Sequence, residues 1–564
     1  MKAIARILIV LAVFIIYADA EARQPFGWEH VKPVPNVWLT PNDFSSVQPV
    51  PQPFDDDTIN VRVNSDNSGQ LQNEQQLCIN PTNPDNVVAV WRDFRLGYRR
   101  LGVAYSFDGG LSWTDDLFPN DNQPRMSDPG LTYDVEGNFY AVSLSFNWAV
   151  DTSGYEVFKS STGGISWDEP VWAIRTPTAD IFEDKELIAC DRAPDSPYRG
   201  NLYIPWTRFT YRPSQRTDCY LVRSTDGNQT WDEEVRVSDE TTLQWPVPCV
   251  GAGGIVYVGW VSYRSFTILL DRSYDGGVTW GEDIEISEVY QPSDEINGGI
   301  TVFSYPALGA DITAGSNHGN LYVAYMDHER YDYDIYFRKS EDEGENWTEP
   351  LRINDDELDN GCDQFHPWLI VDENGYLTVM FYDRRLDENN LLYDIYFTQS
   401  LDAGDTWTEN VRVTTESSDP SQGAILAGLI GEYSGLDVRN GVVNTAWTDW
   451  RNGNQDTYAS RVESYSTSVR EEKPIIPLRP ILMSNYPNPF NGSTVLRFNV
   501  PVESDIELSV YDISGSKVDD IDKAKFGIGS HSITWTPEDL SSGVYFVRLK
   551  SGENTSSRKI VYLK

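Results

Sequence analysis

Short apolar runs alternate with polar turns along most of the chain. Six of the runs read LGVAYS, YEVFKS, CYLVRS, TILLDRS, DIYFRKS and DIYFTQS, and each is rich in β-branched and aromatic residues. Runs of this length and composition, bounded by turn-forming residues, predict β-strands. No long stretch has the spacing of an amphipathic helix. The pattern therefore predicts an all-β protein.

One polar turn follows each of these six runs. Its first copy, YSFDGGLSW, covers Tyr105–Trp113, and the others end at Trp167, Trp231, Trp280, Trp347 and Trp407. The shared pattern is S-x-D-x-G-x-x-W, with Thr162 in place of the aspartate in the second copy and the glycine shifted by one residue in the third. Successive tryptophans are 49 to 67 residues apart. A period of this size is typical of repeat folds such as propellers.

The residue types of this turn suit a connection between two antiparallel strands. The aspartate can accept backbone N–H bonds across the turn, the glycine adopts a positive φ, and the tryptophan packs on the hairpin. No metal ion is needed. We therefore expect a structural role for Ser106, Asp108, Gly110, Trp113, Trp167, Asp226, Trp231, Asp275, Gly277, Trp280, Asp342, Trp347, Asp402, Gly404 and Trp407.

The repeated turn resembles the Asp-box of the sialidase-like, BNR-repeat β-propellers. The six copies span Ser106–Trp407. In that family the Asp-box is structural and lies on the face away from the ligand site. The resemblance therefore implies that the turn reports the fold rather than the function, and that a ligand would be bound at the opposite face.

A second strand-like run precedes each turn, and a seventh copy near Val442–Val462 has no turn after it. The segment Ile59–Asp66 looks like the fourth strands of the other repeats, so we expect it to complete the last blade. A closed ring leaves no exposed sheet edge. The prediction is a seven-bladed propeller of four-stranded blades over residues 59–465. The alternative is six blades with a decorated closure, the blade number of known sialidases.

The two ends of the chain carry export signals. Residues 1–20 have two basic residues, an apolar run and a small-residue cleavage site, which predict a signal peptide; residues 21–58 form an N-terminal extension. After a polar and proline-rich linker over 466–482, residues 483–564 read as a small C-terminal β-sandwich. The strings YPNPFN, YDISG and GVYFVRL resemble the sorting domain of the bacterial type IX secretion system. This implies contact with that machinery and a secreted, extracellular or surface-attached protein; the alternative is an ordinary sandwich module.

Charge and cysteine content narrow the classes of partner. The formal net charge is −42, which argues against a nucleic-acid partner, and no later segment is apolar enough for a transmembrane helix. The five cysteines lack metal-ligand spacing and are predicted as small buried residues, with a disulfide left open. No cofactor is expected. The acidic run Asn354–Asp363 leaves room for a structural calcium ion, although a surface loop is favoured.

Arginines follow the second strand of several repeats. Arg95, Arg385 and Arg451 each stand two residues after an aspartate, and Arg125 opens a later inner strand. One interpretation is that these four guanidiniums bind a ligand carboxylate. The other is that each arginine pairs with its neighbouring aspartate and holds adjacent loops together.

Polar residues also stand at the starts of the predicted inner strands, where a propeller offers a central pocket. The candidates for catalysis are Asp184, Glu186, His366, Glu432 and Tyr433. Sialidases use three arginines, a tyrosine nucleophile polarised by a glutamate, and an aspartate acid/base. Residues of these kinds are present, but the family's Phe-Arg-Ile-Pro element is absent, so the catalytic set does not transfer residue by residue.

These observations leave several functions open. The first is a glycoside hydrolase resembling an exo-α-sialidase, acting on glycans with an acidic sugar. A related reading is a uronate polysaccharide lyase with Tyr433 or His366 as the base. The others are a non-catalytic surface protein that binds a glycan, another extracellular polymer or a protein, and an adhesion protein without a discrete pocket.

Overall fold

The computed structural model describes residues 59–119, 125–147, 152–177, 180–212, 214–329, 331–422, 430–463, 481–486, 488–500, 504–513, 515–527, 529–537, 540–552 and 554–564. The predicted signal peptide, the N-terminal extension over 21–58 and most of the predicted linker lie outside these residues. The chain divides into two compact units, Met1–Ser466 and Thr467–Lys564.

Seven antiparallel sheets follow one another in the described part of the first unit. The first strand, β1 (Ile59–Arg62), belongs to the last sheet. The first sheet contains β2 (Gln72–Ile79), β3 (Val87–Asp93), β4 (Arg100–Ser106) and β5 (Thr114–Leu117), and the second contains β6 (Arg125–Tyr133), β7 (Phe139–Asn147), β8 (Thr152–Ser160) and β9 (Val171–Pro177). The third contains β10 (Ile181–Asp184), β11 (Ala189–Cys190), β12 (Leu202–Thr210), β13 (Arg216–Ser224) and β14 (Val235–Arg236). The fourth contains β15 (Leu243–Val250), β16 (Val256–Ser262), β17 (Thr267–Ser273) and β18 (Ile284–Glu288). A short two-stranded ribbon of β19 (Glu295–Ile296) and β20 (Ile300–Thr301) follows. The fifth sheet contains β21 (Ala307–Ala310), β22 (Leu321–Asp327), β23 (Asp334–Ser340) and β24 (Leu351–Arg352), and the sixth contains β25 (Gln364–Val371), β26 (Leu377–Asp383), β27 (Asp394–Ser400) and β28 (Val411–Arg412). The last sheet contains β29 (Gly435–Arg439), β30 (Val442–Asp449) and β31 (Asp456–Glu463) together with β1.

The last sheet is completed by the first strand. β1 pairs with β31 from Ile59↔Arg461 to Arg62↔Tyr458, giving the order β1-β31-β30-β29. The first sheet also contacts the last, because the Thr448 hydroxyl donates to the Gln75 side-chain oxygen at 3.1 Å. The prediction of an all-β propeller is confirmed, and the seven sheets are consistent with the predicted seven blades, whose number stays a prediction.

The second strand of each sheet is buried on both faces, which explains its near-continuous apolar sequence. β3, for example, has no exposed residue. Side chains of neighbouring sheets interlock: the ring of Phe118 lies 4.9 Å from that of Phe158 and 4.8 Å from that of Trp167. All five cysteines are free thiols, four of them buried and Cys249 partly buried.

The turn between the third and fourth strands is held by its own side chains. In the first copy the Ser106 hydroxyl donates to Asp108 at 2.7 Å, and Asp108 accepts the Ser112 backbone N–H at 2.9 Å. The Trp113 indole N–H donates to the Gly110 carbonyl at 3.0 Å. The same serine–aspartate bond recurs at Asp226, Asp275, Asp342 and Asp402. The bonds expected from the sequence are therefore present.

The second unit is a small β-sandwich, as predicted. One sheet has the order β32 (Ile481–Tyr486), β33 (Thr494–Val500) and β36 (Gly529–Trp535). The other has the order β35 (Lys517–Phe526), β34 (Ser504–Asp512), β37 (Gly543–Ser551) and β38 (Asn554–Tyr562). Their shared core includes Phe490, Leu508, Val510 and Val547.

Candidate functional site

Strand direction sets which residues meet at the axis. The inner strand of each sheet runs towards the face that carries the repeated turns, so it begins at the opposite face. Four inner strands contain a β-bulge near that beginning, between Asn73/Gln76, Ser127/Gly130, Gln244/Val247 and Phe365/Trp368. A bulge re-aims a side chain and is a feature that recurs beside functional sites.

The residue at each bulge has an unusual backbone conformation. Glu74, Asp128, Trp245 and His366 have φ between 48° and 67°, and Lys185 in the third sheet has φ 59°. Side chains other than glycine rarely adopt this left-handed region. Five residues with a strained backbone lie at one level of one axis. Such strain costs stability and clusters at functional sites.

Strand register identifies the matching residues of the two remaining sheets. Ala307 pairs with Ala324 and Gly435 pairs with Ala446, which puts Tyr305 and Tyr433 at the position of the bulged residues. We call the seven residues the axial ring: Glu74, Asp128, Lys185, Trp245, Tyr305, His366 and Tyr433. All are at most 7% exposed.

One side of the axial ring is charged. The Lys185 ammonium lies 3.2 Å from an Asp128 carboxylate oxygen, 3.4 Å from one of Glu432 and 3.9 Å from one of Glu74. Arg92, on the second strand of the first sheet, lies 2.8 Å from Glu74. The two cations thus hold three buried carboxylates together.

The other side of the axial ring is aromatic. The ring of Tyr305 lies 6.0 Å from that of Trp245 and 6.0 Å from that of His366. Trp245 also lies 6.5 Å from the Tyr433 ring, and the Lys185 ammonium is 4.6 Å from the Trp245 ring centre. The Tyr305 hydroxyl donates to the Glu432 carbonyl. The ammonium therefore lies where the charged and aromatic sides meet.

Burial and neighbouring charge shift the pKa values of the carboxyl groups near the axial ring in opposite directions. Burial raises the pKa of Glu186 well above its usual range, with Asp128 adding to the effect, and burial raises the pKa of Asp184 to about 7. Burial opposes ionisation of Asp128 too, but Lys185 and Arg92 hold the pKa of Asp128 below its usual value. The surroundings therefore favour the ionised form of Asp128 and the protonated form of Glu186.

All five predicted catalytic residues lie at or beside the axial ring. Both oxygens of Glu186 and the hydroxyl of Tyr433 are buried and make no hydrogen bond to the residues that the structure describes. Burial lowers the pKa of His366 to about 4 and raises the pKa of Tyr433 well above its usual range. The structure brings these candidates together, and their catalytic roles stay predictions.

The predicted carboxylate-binding arginines are already paired within the protein. Arg95 lies 2.8 Å from Asp93 and 2.9 Å from Asp115, which belongs to the outer strand β5. Arg385 pairs with Asp383 at 2.7 Å and with Asp355, while Arg451 pairs with Asp449 at 2.8 Å. Arg125 lies 5.9 Å from the Tyr98 ring centre. For the first three the geometry favours the alternative in which arginine and aspartate fix adjacent loops.

Sequence reasoning missed several residues of the site. Arg99 is partly buried, its guanidinium lies 4.9 Å from the Phe146 ring centre, and within the described chain it makes no ion pair. Burial and Arg92 lower its pKa. Trp245 and Tyr305 looked like core residues. A signal was present, because Asp128, Trp245, Tyr305 and His366 each precede a proline at the start of an inner strand, and proline in strands is found at bulges and edges.

The cavity with a defined volume lies at the other end of the axis from the expected pocket. It measures about 370 Å³ and is lined by the later halves of the inner strands and the turns that follow them, including Arg192 and Arg439. The side chains of the axial ring are at most 7% exposed. An open pocket where the inner strands begin stays a prediction.

The described residues include no group of three or more His, Cys, Asp or Glu side chains arranged to hold a metal ion. In the acidic run Asn354–Asp363, Asp356 accepts hydrogen bonds from Arg352, Asn354 and Asn360 at 2.6–2.8 Å. A structural calcium ion at this run is thus an untested expectation, and the Asp356 carboxylate is engaged by the protein.

The second unit is similar to a known family. Residues 484–563 match the family described as "Secretion system C-terminal sorting domain". The predicted sorting domain is confirmed. It marks the chain as secreted or attached to the cell surface and implies an interaction with the secretion machinery. No helix within the described residues has the length and apolar character of a membrane span.

No curated protein matches the chain. Among solved structures, a protein of unknown function from Dyadobacter fermentans is 14% identical, with a TM-score of 0.41 over 72% of this chain and 98% of that one. The Hadza microbial sialidase Hz136 is 14% identical, with a TM-score of 0.39 over 67% and 74%. An α-L-arabinanase from Penicillium chrysogenum is 12% identical, with a TM-score of 0.40 over 72% and 98%. Likeness at this level carries no argument about activity.

Proposed function

We propose that this exported protein acts on glycans, binding a sugar residue at the axial ring and hydrolysing a glycosidic bond beside it. The observation that carries the proposal is the division of the ring into a charged and an aromatic side. Sugars offer apolar C–H faces that pack on aromatic rings and hydroxyls that bond to carboxylates. Trp245 and Tyr305 supply the first kind of contact, and Asp128 and Glu74 supply the second.

The different protonation of the carboxyl groups supports hydrolysis. Glycosidases use one carboxylic acid to protonate the leaving oxygen and one carboxylate as base or nucleophile. Burial raises the pKa of Glu186, while Lys185 and Arg92 lower the pKa of Asp128 against the effect of burial. Environments that shift the pKa values of two carboxyl groups in opposite directions are typical of an acid/base pair.

Arg99 supports an acidic sugar as the substrate. Lys185 and Arg92 are each matched to carboxylates of the protein. The guanidinium of Arg99 lies near the same cluster, because it acts electrostatically on Asp128 and Asp184. An arginine without a carboxylate partner is suited to bidentate contact with the carboxylate of a sialic or uronic acid.

Binding without cleavage is the second candidate. The low exposure of the axial ring, at most 7% for every member, limits binding and cleavage alike, and it is the surroundings of Tyr433 that favour binding alone. Tyr433, one of the candidate catalytic residues, is 3% exposed and has no hydrogen bond to an adjacent general base in the described chain. A sugar would reach these groups only if side chains moved apart.

The test is product release by the purified full chain from sialylated and uronate-containing glycans. Free sialic acid reports hydrolysis, unsaturated uronate reports lyase action, and retention on immobilised glycans reports binding. Arg99→Gln should lower activity or binding at least about tenfold, whereas Arg212→Gln, an 81% exposed arginine, should leave both unchanged. Retention without release would establish the second candidate, and neither retention nor release would overturn the proposal.

A further inference from the structure

The cavity at the turn-bearing end of the axis is lined by residues of all seven inner strands. Its volume is about 370 Å³ and its wall includes Leu131, Val247, Leu308 and Leu369. The dimensions suit a small molecule, and the wall combines apolar and polar surface. The cavity is built from other residues than the axial ring, so it is a separate candidate site.

Arg192 is a cation of this cavity, and Tyr133 and Asp437 raise the pKa of Arg192 against the effect of burial. Its guanidinium lies over the Tyr133 ring, 4.1 Å from the ring centre. Within the described chain it makes neither an ion pair nor a hydrogen bond. Arg439, the other cation of the wall, donates to the Tyr133 hydroxyl at 3.4 Å and lies 3.8 Å from Glu373.

The acidic residues of the wall are engaged elsewhere. Asp437 accepts backbone N–H bonds from Ile79 at 2.7 Å and Val438 at 2.9 Å. Asp372 accepts those of Asn374 and Tyr376 at 2.8 and 2.9 Å. These carboxylates therefore hold turns and strands in place. Arg192 remains as a cation that faces the cavity without a carboxylate bound to it.

Tyr133 adds a hydrogen-bond donor beside Arg192. Its hydroxyl oxygen accepts from Arg439, which leaves the hydroxyl proton for another acceptor. Burial raises the pKa of Tyr133 to about 12, so the hydroxyl keeps this proton at neutral pH. A guanidinium and a hydroxyl donor next to each other match the two oxygens of one carboxylate.

We propose that this cavity binds a small carboxylic acid with an apolar body. The carboxylate pairs with Arg192 and accepts from the Tyr133 hydroxyl, and the body lies against Leu131, Val247 and Leu369. A single carboxylate fits better than phosphate or sulfate, because Asp437 and Glu373 near the cavity would repel a doubly charged anion.

The test is calorimetric titration of the purified full chain with octanoate, and with octan-1-ol as the uncharged ligand of matched length. We expect saturable, one-to-one binding of octanoate, and binding of octan-1-ol at least about tenfold weaker. Arg192→Gln should abolish that preference, and Arg192→Lys should retain part of it. Arg199→Gln, an exposed arginine in the same turn, is the matched control and should bind octanoate as the unsubstituted protein does.

Three results would overturn the proposal. The first is the absence of saturable octanoate binding, the second is equal affinity for octanoate and octan-1-ol, and the third is an unchanged preference in a folded Arg192→Gln. The two ligands are compared on the unsubstituted protein, so the test holds even if a variant fails to fold. Failure here leaves the glycan proposal untouched, because that proposal depends on the opposite end of the axis.

Discussion

The repeated turns and the axial ring both arise from the repetition of the sheets. The turns keep the same residue types from copy to copy, whereas the positions of the axial ring do not. Five of the six turns use the same serine–aspartate bond, as at Asp108 and Asp275. At the axis, seven equivalent positions carry Glu, Asp, Lys, Trp, Tyr, His and Tyr. A position that served only the fold would tend to repeat with the fold.

The carboxyl groups of the two regions also differ in how well they are satisfied. The aspartate of a turn accepts several bonds at the surface, which lowers its pKa. Near the axis, Glu186 is buried with neither oxygen hydrogen-bonded in the described structure. Unsatisfied buried groups cost stability, and proteins retain them mainly where function requires them. The comparison is consistent with a structural role for the turns, and it supports the proposal that a ligand is bound at the axis.

The largest expected effect is at the cation of the axial ring. Lys185→Met leaves Asp128, Glu74 and Glu432 buried without their shared ammonium, and we expect it to lower the free energy of unfolding by about 3–5 kcal/mol. Lys339→Met breaks ion pairs with Glu341 and Asp405, which are 67% and 65% exposed, and should cost less than about 1 kcal/mol. Denaturant unfolding followed by tryptophan fluorescence measures both. Equal losses of stability in the two variants would contradict the distinction between the buried ion pairs at the axis and the exposed ion pairs at the surface.

The next effect concerns pH. Asp184 has its pKa raised to about 7 in the folded chain, above its value in the unfolded chain, so folding takes up a proton. Its contribution to stability is complete at pH 4 and is lost as the pH rises to 7. Asp184→Asn should therefore flatten the fall in stability over this window by up to about 1 kcal/mol per pH unit. Parallel pH profiles for the variant and the unsubstituted protein would contradict the assignment.

A single turn should matter less. Asp275→Ala removes the acceptor of bonds from Ser273, Val278 and Thr279 at 2.7–3.0 Å. Because this carboxylate lies at the surface, we expect a loss of about 1 kcal/mol, with glycan action and octanoate binding unchanged. Thermal unfolding measures the first and the two binding assays measure the others. A loss of either binding activity would give the turn a functional role.

The smallest effect uses a difference already present among the turns. Thr162 stands where the other turns have aspartate, and its hydroxyl accepts the Ser166 backbone N–H at 2.9 Å. Thr162→Asp restores the common residue and should change the free energy of unfolding by no more than about 0.5 kcal/mol. Thermal unfolding beside the Asp275→Ala protein checks this. A large destabilisation would mean that the turns are not interchangeable.

The sequence predicted the repeated turns and strands, and it predicted some of the residues at the axial ring. Six turns and their flanking strands predicted the propeller, and polar starts of inner strands predicted Glu186, His366 and Tyr433 as neighbours. Trp245 and Tyr305 were missed, since an aromatic residue on an inner strand reads as core. The positive φ of Glu74 and His366 arises from bulges set by strand pairing, and the contact of Arg192 with the Tyr133 ring joins segments distant in sequence.

The most direct test of the central claim is the free energy of unfolding of Glu186→Met. If the axis is kept for a ligand, replacing this buried, unpartnered carboxyl with an apolar side chain of similar length should stabilise the protein by about 1–3 kcal/mol. A destabilisation of that size would show instead that the carboxyl supports the fold, and it would contradict the division between turns that stabilise and an axis that binds.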